Sequence, residues 1–567
     1  MTEHYNNTTV YGPTTEVAQQ LHAEKYRGPS ESFYDCMSRV SGALADDDAH
    51  RRAFKGALLN QRFMPGGRIQ ASVGAPRATT AFNCFVSGTI LDNMDSIMGR
   101  ATDAAQIMRM GGGNGYDFSR LRPRGDRIVS LDSSSSGPVS FMGIYDAVCA
   151  TISSSGHRRG AQMGVLRVDH PDIEEFVRAK QNDNQLTYFN ISVGVTDEFM
   201  TAVEHDLSFD LRFEGKVYST INARNLWDDI MRSTWEWAEP GVLFLDAINR
   251  GNNLNYCEAI EATNPCGEQP LPPFGACLLG SFNLAKYAHE DIGGWGFDWA
   301  QFEEDIPHVV RAMDNVIDST IYPLPEHEKE AKAKRRMGLG VTGLANASEA
   351  LGMPYGSLES IVWVKSVMMT LRNEAYAASV ELAEEKGSFP LFVSAYLDSP
   401  YIKRLPDHIR NGIQEHGIRN SHLISIAPAG TISLCADNVS SGIEPTFAIS
   451  VDRQIETAAG RVTESIMDYG VDRFGTSPVC ADELSVRGHL GVLLAVQPFV
   501  DSACSKTCNV GKEVEWDEFK AVYMDAWKGG AKGITTFRNS GKRYGVMKKS
   551  EDEACYIDPE TGQKECS

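Results

Sequence analysis

The sequence predicts an α/β fold in which parallel strands alternate with helical crossovers, as a sheet or a barrel. Two observations carry this. From about residue 70 to 545, short strand-length runs alternate with stretches of helical periodicity. Runs 190–195, 241–245 and 423–427 have the length and apolar character of buried strands. After Ser357, Ile361, Val364, Met368, Leu371, Ala375, Ala378 and Leu382 recur every three or four residues, which predicts a helix ended by Gly387 and Pro390.

The ends of the chain read differently. Residues 1–70 look helical and polar, with Glu16, Val17, Leu21 and His22, then Phe33, Met37 and Leu44, at helical spacing. Gly66 and Gly67 after Pro65 break that pattern. Residues 71–545 would form the main α/β body. Residues 546–567 are polar, lack apolar periodicity and read as a mobile tail.

With 42% hydrophobic and 23% charged residues in 567, the composition is that of a globular protein. The net charge of -21 argues against a nonspecific nucleic-acid coat, which needs a basic face. It leaves room for a nucleotide, because one phosphate needs only a local cradle of amides, hydroxyls or an Arg. No run of about 18 apolar residues occurs, so no membrane span is expected. The start of the sequence is polar and carries no apolar signal segment, and a cytoplasmic location is expected. Twelve cysteines are too sparse for a disulfide scaffold, so each is a small buried hydrophobe or a reactive thiol.

Some apparent motifs carry little. Gly338-Leu-Gly340-Val-Thr-Gly343 has the dinucleotide-loop spacing, but it follows a charged segment resembling a helix end, where that motif needs a strand. Gly111-Gly-Gly-Asn-Gly115 lacks the third glycine of that pattern. Cys504 and Cys508 stand four apart on a possible helix, and two thiols do not make a zinc site. No protein metal site is expected.

The informative segment is Asn264-Pro-Cys266-Gly-Glu268. In an extended loop, alternate side chains point the same way, so the amide, thiol and carboxylate would face one small substrate. Pro265 and Gly267 rule out helix and shape an exposed finger. A thiol beside a general base suggests nucleophilic or radical chemistry, and a turn with an inert buried Cys is the plainer alternative.

This segment resembles the active-site finger loop of ribonucleotide reductases. Further segments agree: Phe82-Asn83-Cys84-Phe85-Val86, Gly275-Ala-Cys277-Leu-Leu-Gly-Ser-Phe-Asn-Leu284, Met337-Gly-Leu-Gly-Val-Thr-Gly-Leu344, and Ala427-Pro-Ala-Gly-Thr431-Ile-Ser433 followed by Ser440-Ser-Gly-Ile-Glu-Pro445. The resemblance runs from about residue 60 to the end. It implies a ten-stranded α/β barrel of the ribonucleotide reductase and glycyl radical enzyme type. It implies that Cys266 forms a thiyl radical that takes the 3′ hydrogen of the ribose, that Glu268 is the general base at the 3′ hydroxyl, and that Asn264 holds the substrate hydroxyls. Cys84 and Cys277 would supply protons and electrons and end as a disulfide. Ala429, Gly430, Thr431, Ile432 and Ser433 would cradle the substrate phosphate. Cys555 and Cys566 in the tail would re-reduce the active site and be reset by thioredoxin or glutaredoxin.

The resemblance extends to regulation. Asp92, Asp95 and Ser96, with Arg120 and Arg122 in the next loop, resemble the site where a deoxynucleoside triphosphate or ATP effector binds at a homodimer interface. Ser153-Ser-Ser-Gly-His-Arg158-Arg159-Gly-Ala-Gln162-Met163 resembles the loop that relays effector identity, with Arg159 and Gln162 toward the substrate base. Only 83 residues precede Cys84, so no ATP-cone is expected. Thr536 and Phe537 occupy the place of the tyrosine pair through which one class receives its radical from a ferritin-like metallo-subunit. Neither forms a tyrosyl intermediate, which favours the adenosylcobalamin-dependent class, with ribonucleoside diphosphates as substrates. The metallo-subunit class is the alternative. The signature of the glycyl-radical class is absent. A regulatory relic would have lost one of Cys84, Cys266, Glu268 or Cys277, and all four are present.

Overall fold

Apolar runs short enough to span a sheet once become its strands, and the amphipathic stretches between them become helices packed outside. The computed structural model describes residues 11–152, 161–181, 185–457, 460–511 and 513–538, with the short segments 555–557 and 564–566. Ten strands join in one sheet: β1 (Phe63–Pro65), β2 (Cys84–Val86), β3 (Gly113–Asp117), β4 (Gln162–Arg167), β5 (Phe189–Val195), β6 (Gly241–Phe244), β7 (Ala276–Asn283), β8 (Met337–Thr342), β9 (Thr507–Val510) and β10 (Gly533–Arg538). Their spatial order is β1, β7, β2, β3, β4, β5, β6, β10, β9, with β8 also paired to β7.

The pairing divides the sheet into two halves. Strands β2 to β6 run parallel to one another. So do β7 with β8, and β9 with β10. The halves meet at two antiparallel seams, β2 with β7 and β6 with β10. Parallel bridges Leu339 to Ile424 and Ile426 to Cys504 link β8 through 424–426 to the chain entering β9. The Leu339 N–H donates to the Leu423 carbonyl at 2.8 Å and the Ile426 N–H to the Ala503 carbonyl at 3.1 Å. The sheet thereby closes into the barrel that the resemblance implies.

Several sequence expectations are corrected here. Run 423–427 makes only bridges, because the N–H groups of Leu423 and Ile424 donate instead to the buried Asp501 carboxylate at 2.7 and 3.0 Å. Cys504 and Cys508 lie on extended chain, Cys504 in a bridge and Cys508 in β9, not on a helix. Gly338 and Gly340 lie inside β8, where an added Cβ would come within 2.5 Å of the Gln269 amide and 2.4 Å of the Ser425 carbonyl. Their smallness serves close packing. The first strand of the sheet, Phe63–Pro65, is buried and pairs antiparallel with β7.

The helices bear out the periodicity. Glu16–Tyr26, Phe33–Leu44 and Asp48–Leu59 form the N-terminal helical region. The helix Leu358–Lys386 is capped by Ser357, which accepts from the Ser360 N–H, and ends at Gly387 with φ +81°. An inner apolar cluster of Val86, Met163, Val165, Leu243 and Leu245 includes Ala262, Leu271 and Cys277, so the base of the finger is packed within the barrel. No helix among the described residues is long and apolar enough to cross a membrane.

Candidate active site

The finger is a short hairpin, Ala262–Thr263 paired with Pro270–Leu271. Its tip is a closed turn, not the extended loop expected from alternation: the Asn264 N–H donates to the Gln269 carbonyl at 3.1 Å, and the Gly267 N–H to the Asn264 carbonyl at 3.1 Å. Gly267 has φ +82°, a conformation that favours glycine. Turn closure, and not strand alternation, brings the three side chains to one cleft.

The barrel wall grips the finger from several sides. Gly115 in β3 comes so close that an added Cβ would lie 1.8 Å from the Thr263 carbonyl oxygen. The Asn190 amide of β5 donates to the Pro265 carbonyl at 3.0 Å. The Glu268 carbonyl accepts from the Ser425 hydroxyl and the Ala503 N–H, both at 3.0 Å. These backbone anchors leave the finger side chains to face the cleft.

Asn264 and Glu268 converge on Cys84. Asn264 Nδ2 donates to Cys84 Sγ at 3.0 Å, and the Cys84 thiol donates to Glu268 Oε1 at 3.5 Å. The Asn264 carboxamide oxygen accepts from the Gln269 N–H at 2.9 Å, which fixes the amide with its NH₂ toward the sulfur. Asn264 and Glu268 are buried, whereas Cys266 at the tip is partly exposed. All four residues line one cleft enclosing about 790 Å³ of empty space, part of it open to solvent.

Cys277 lies directly opposite Cys84 where β7 runs antiparallel to β2. The Val86 N–H donates to the Gly275 carbonyl at 2.9 Å, so the Cys84–Cys277 pair, two residues along, falls at the next hydrogen-bonded rung. The Cα atoms of such a pair stand about 5.5 Å apart, within the span a disulfide bridges. Both are thiols here, and burial pushes both pKa values well up. For Cys84 the neighbouring Glu268 and Cys266 add to the rise. Both therefore hold their protons at neutral pH.

The segment 429–433 borders the same cleft through Ala429 and Ile432. Ala429 has φ +57° and leads into the short helix Gly430–Leu434, which contains Thr431. The Ser433 hydroxyl donates to the Gly430 carbonyl at 2.7 Å and pairs with the Ser441 hydroxyl at 2.9 Å. Arg68, Asn83 and Ser281 also line the cleft, and no sequence motif assigns any of them a role. Arg68 follows Pro65-Gly66-Gly67, a stretch that by sequence reads only as a break.

The remaining expected residues lie elsewhere. Gln162 does not join the cleft: it begins β4, buried, and its amide accepts from the Tyr116 hydroxyl at 3.0 Å and donates to the Tyr145 carbonyl at 3.2 Å. Arg159 falls outside the described residues. Arg122 ion-pairs with Asp92, and Arg120 with Glu261 at 3.1 Å. Asp95 is exposed in the first turn of the helix Met94–Arg109, and the Ser96 hydroxyl accepts from the Leu91 N–H at 2.8 Å. Thr536 is buried with its hydroxyl 2.9 Å from that of Tyr523. Cys555 and Cys566 stand opposite each other in a short antiparallel pair, and most of the tail lies outside the described residues.

The family model of the ribonucleotide reductase barrel domain matches residues 82–537. A vitamin B12-dependent ribonucleoside-diphosphate reductase of Mycobacterium tuberculosis is 38% identical over 93% of this chain and 78% of its own length. One of Thermoplasma acidophilum is 34% identical over 92% of this chain and 69% of its own. A ribonucleoside-diphosphate reductase subunit alpha of Synechocystis is 27% identical over 74% of this chain and 60% of its own. With the barrel, the finger and the paired cysteines in place, this chain belongs to the ribonucleotide reductase family.

Proposed function

We propose that this chain reduces ribonucleoside diphosphates to 2′-deoxyribonucleotides by a thiyl-radical mechanism, with adenosylcobalamin as the radical source. The observation that carries the reading is the convergence of Asn264, Cys266 and Glu268 on a cleft that also holds Cys84, with Cys277 opposite Cys84. The cobalamin reading is supported by the two relatives most alike in sequence above, both named as vitamin B12-dependent. The finger tip fits such a group: Cys266 is partly exposed, and no atom lies within 4 Å of an added Cβ at Gly267. Pro265, Cys266 and Gly267 would form the floor against which it rests. When bound, adenosylcobalamin supplies a one-electron oxidant through homolysis of its cobalt–carbon bond.

The protein's own residues do the rest. Cys266, once a thiyl radical, takes the 3′ hydrogen of the ribose and returns it at the end, since the S–H and activated C–H bonds are comparable in strength. The Glu268 carboxylate takes the 3′ hydroxyl proton. Cys84, held protonated by burial, gives a proton to the departing 2′ hydroxyl, which leaves as water. Cys84 and Cys277 give up two electrons and join as a disulfide. Asn264 orients Cys84 through its amide and holds the substrate hydroxyls. Burial keeps water from the ribosyl radical.

The surrounding roles extend the same reading. Ala429, Gly430, Thr431, Ile432 and Ser433 cradle the substrate phosphate. Cys555 and Cys566 re-reduce the Cys84–Cys277 disulfide and are reset by thioredoxin or glutaredoxin. A deoxynucleoside triphosphate or ATP binds near Asp92, Asp95, Ser96, Arg120 and Arg122 in a homodimer, and Arg159 reads the base. The test is turnover of CDP or ADP by the purified chain with adenosylcobalamin and a dithiol. Deoxynucleotide is expected without any added metallo-subunit. Product only when such a subunit is supplied would overturn the cobalamin assignment.

A further inference from the structure

A nucleoside diphosphate carries two to three negative charges into a protein whose own net charge is -21. Hydroxyls and amides at 429–433 supply hydrogen bonds but no positive charge. Among the described residues that line the cleft, the charged side chains are Glu268, at the ribose end, and Arg68.

Arg68 belongs to the short helix Gly67–Ser72, which follows β1. Ala71 of that helix packs against an apolar cluster containing Met64, Ala429, Ile432 and Cys435, and the helix and the 429–433 segment both line the cleft. The Gln61 amide donates to the Cys435 carbonyl at 2.9 Å. The guanidinium lies over Gly111, itself a cleft residue: an added Cβ there would stand 2.4 Å from Cζ and 2.5 and 2.7 Å from the two terminal nitrogens. Gly111 has φ +88°, so that position favours glycine on two counts. The bare backbone leaves room for a flat guanidinium beside the cleft.

We propose that Arg68 is a substrate-binding residue whose guanidinium takes the phosphate oxygens of the nucleotide beside the 429–433 segment. This rests on the ribonucleotide reductase reading above. A planar fork with several N–H donors matches two phosphate oxygens at once, a geometry that an ammonium does not reproduce. The charge neutralises substrate remote from the reacting ribose, so its contribution appears in binding and in placement.

The experiment is steady-state reduction of CDP by wild type, Arg68→Lys and Arg68→Met, with saturating adenosylcobalamin and dithiothreitol, and with thermal unfolding of each protein. Arg68→Met is expected to raise KM for CDP tenfold or more, about 1.4 kcal/mol, while kcat falls less than about threefold. Arg68→Lys should recover part of the loss. KM of the wild type should rise with ionic strength more steeply than that of Arg68→Met. A folded Arg68→Met with KM within twofold of wild type overturns the proposal, as does loss of kcat at unchanged KM. If Arg68→Met does not fold, Arg68→Lys decides: an unchanged KM overturns the proposal, and a raised KM supports it. Absence of CDP reduction by the wild type would instead overturn the functional reading itself.

Discussion

Cys266 and Glu268 stand two residues apart yet are held differently, one partly exposed at the tip and one buried against Cys84. This division would suit the roles proposed for them, a radical delivered from outside at Cys266 and a base working away from water at Glu268. Cys266→Ser should abolish reduction while leaving the fold intact, since an O–H bond is too strong for a seryl radical to form by the same exchange. Glu268→Gln keeps size and hydrogen-bonding capacity but removes the base. It is expected to lower kcat by about 10²–10⁴-fold, with KM for CDP changed little. Single-turnover deoxynucleotide formation measures both. Full activity in Glu268→Gln would remove the carboxylate from the mechanism. At this scale the motif reading identified the residue types. The resemblance points Gln162 toward the substrate base; its amide meets the Tyr116 hydroxyl and the Tyr145 carbonyl inside the core.

The finger hairpin is the element on which the site depends. It is only two residues long on each side, too short to hold itself in place. Its position comes from β3, β5 and the closing segment, through Gly115, Asn190, Ser425 and Ala503. Gly115→Ala puts a methyl into the Thr263 carbonyl, and the finger must move. Overpacking of this kind costs about 1–3 kcal/mol, and a catalytic group displaced by about 1 Å loses on the order of 10²-fold in rate. The expected result is a modest fall in Tm with a disproportionate fall in kcat, read by thermal unfolding and turnover. Equal losses in both would mean that Gly115 serves general stability alone.

For the whole molecule, the decisive feature is closure of the barrel. Asp501 accepts the Leu423 and Ile424 N–H groups and the Tyr376 hydroxyl at 2.7, 3.0 and 2.7 Å, and so pins the segment that joins β8 to the chain entering β9. The same segment carries Ser425, which holds the finger at the Glu268 carbonyl. Asp501→Ala leaves two buried N–H groups unpaired, at about 1–3 kcal/mol each. It is expected to lower the unfolding free energy by about 3 kcal/mol or more and to abolish turnover in whatever protein remains folded. Urea unfolding and CDP reduction test the two halves of that statement. A stable, active Asp501→Ala would show that closure does not depend on this carboxylate.

The sequence by itself determined much of what this protein is. Helical periodicity located the helix Leu358–Lys386 with both its caps, because capping and amphipathicity are local properties. The finger motif and the cysteine-bearing segments marked the chemistry, because a radical reaction tolerates few residue types. The tertiary structure alone decided the rest. It set Cys84 opposite Cys277 across 193 positions (277 minus 84), a pairing that the family resemblance implies and no local pattern encodes. It gave the expected strand at 423–427 only bridges, with a buried carboxylate 77 and 78 residues away taking two of its N–H groups. It brought Arg68 and the 429–433 segment, more than 350 residues apart along the chain, to one cleft, with Ala71 packed against the apolar cluster that contains Ala429 and Ile432. Contacts of such sequence separation are fixed by how the strands close into a ring, and that depends on the whole chain at once.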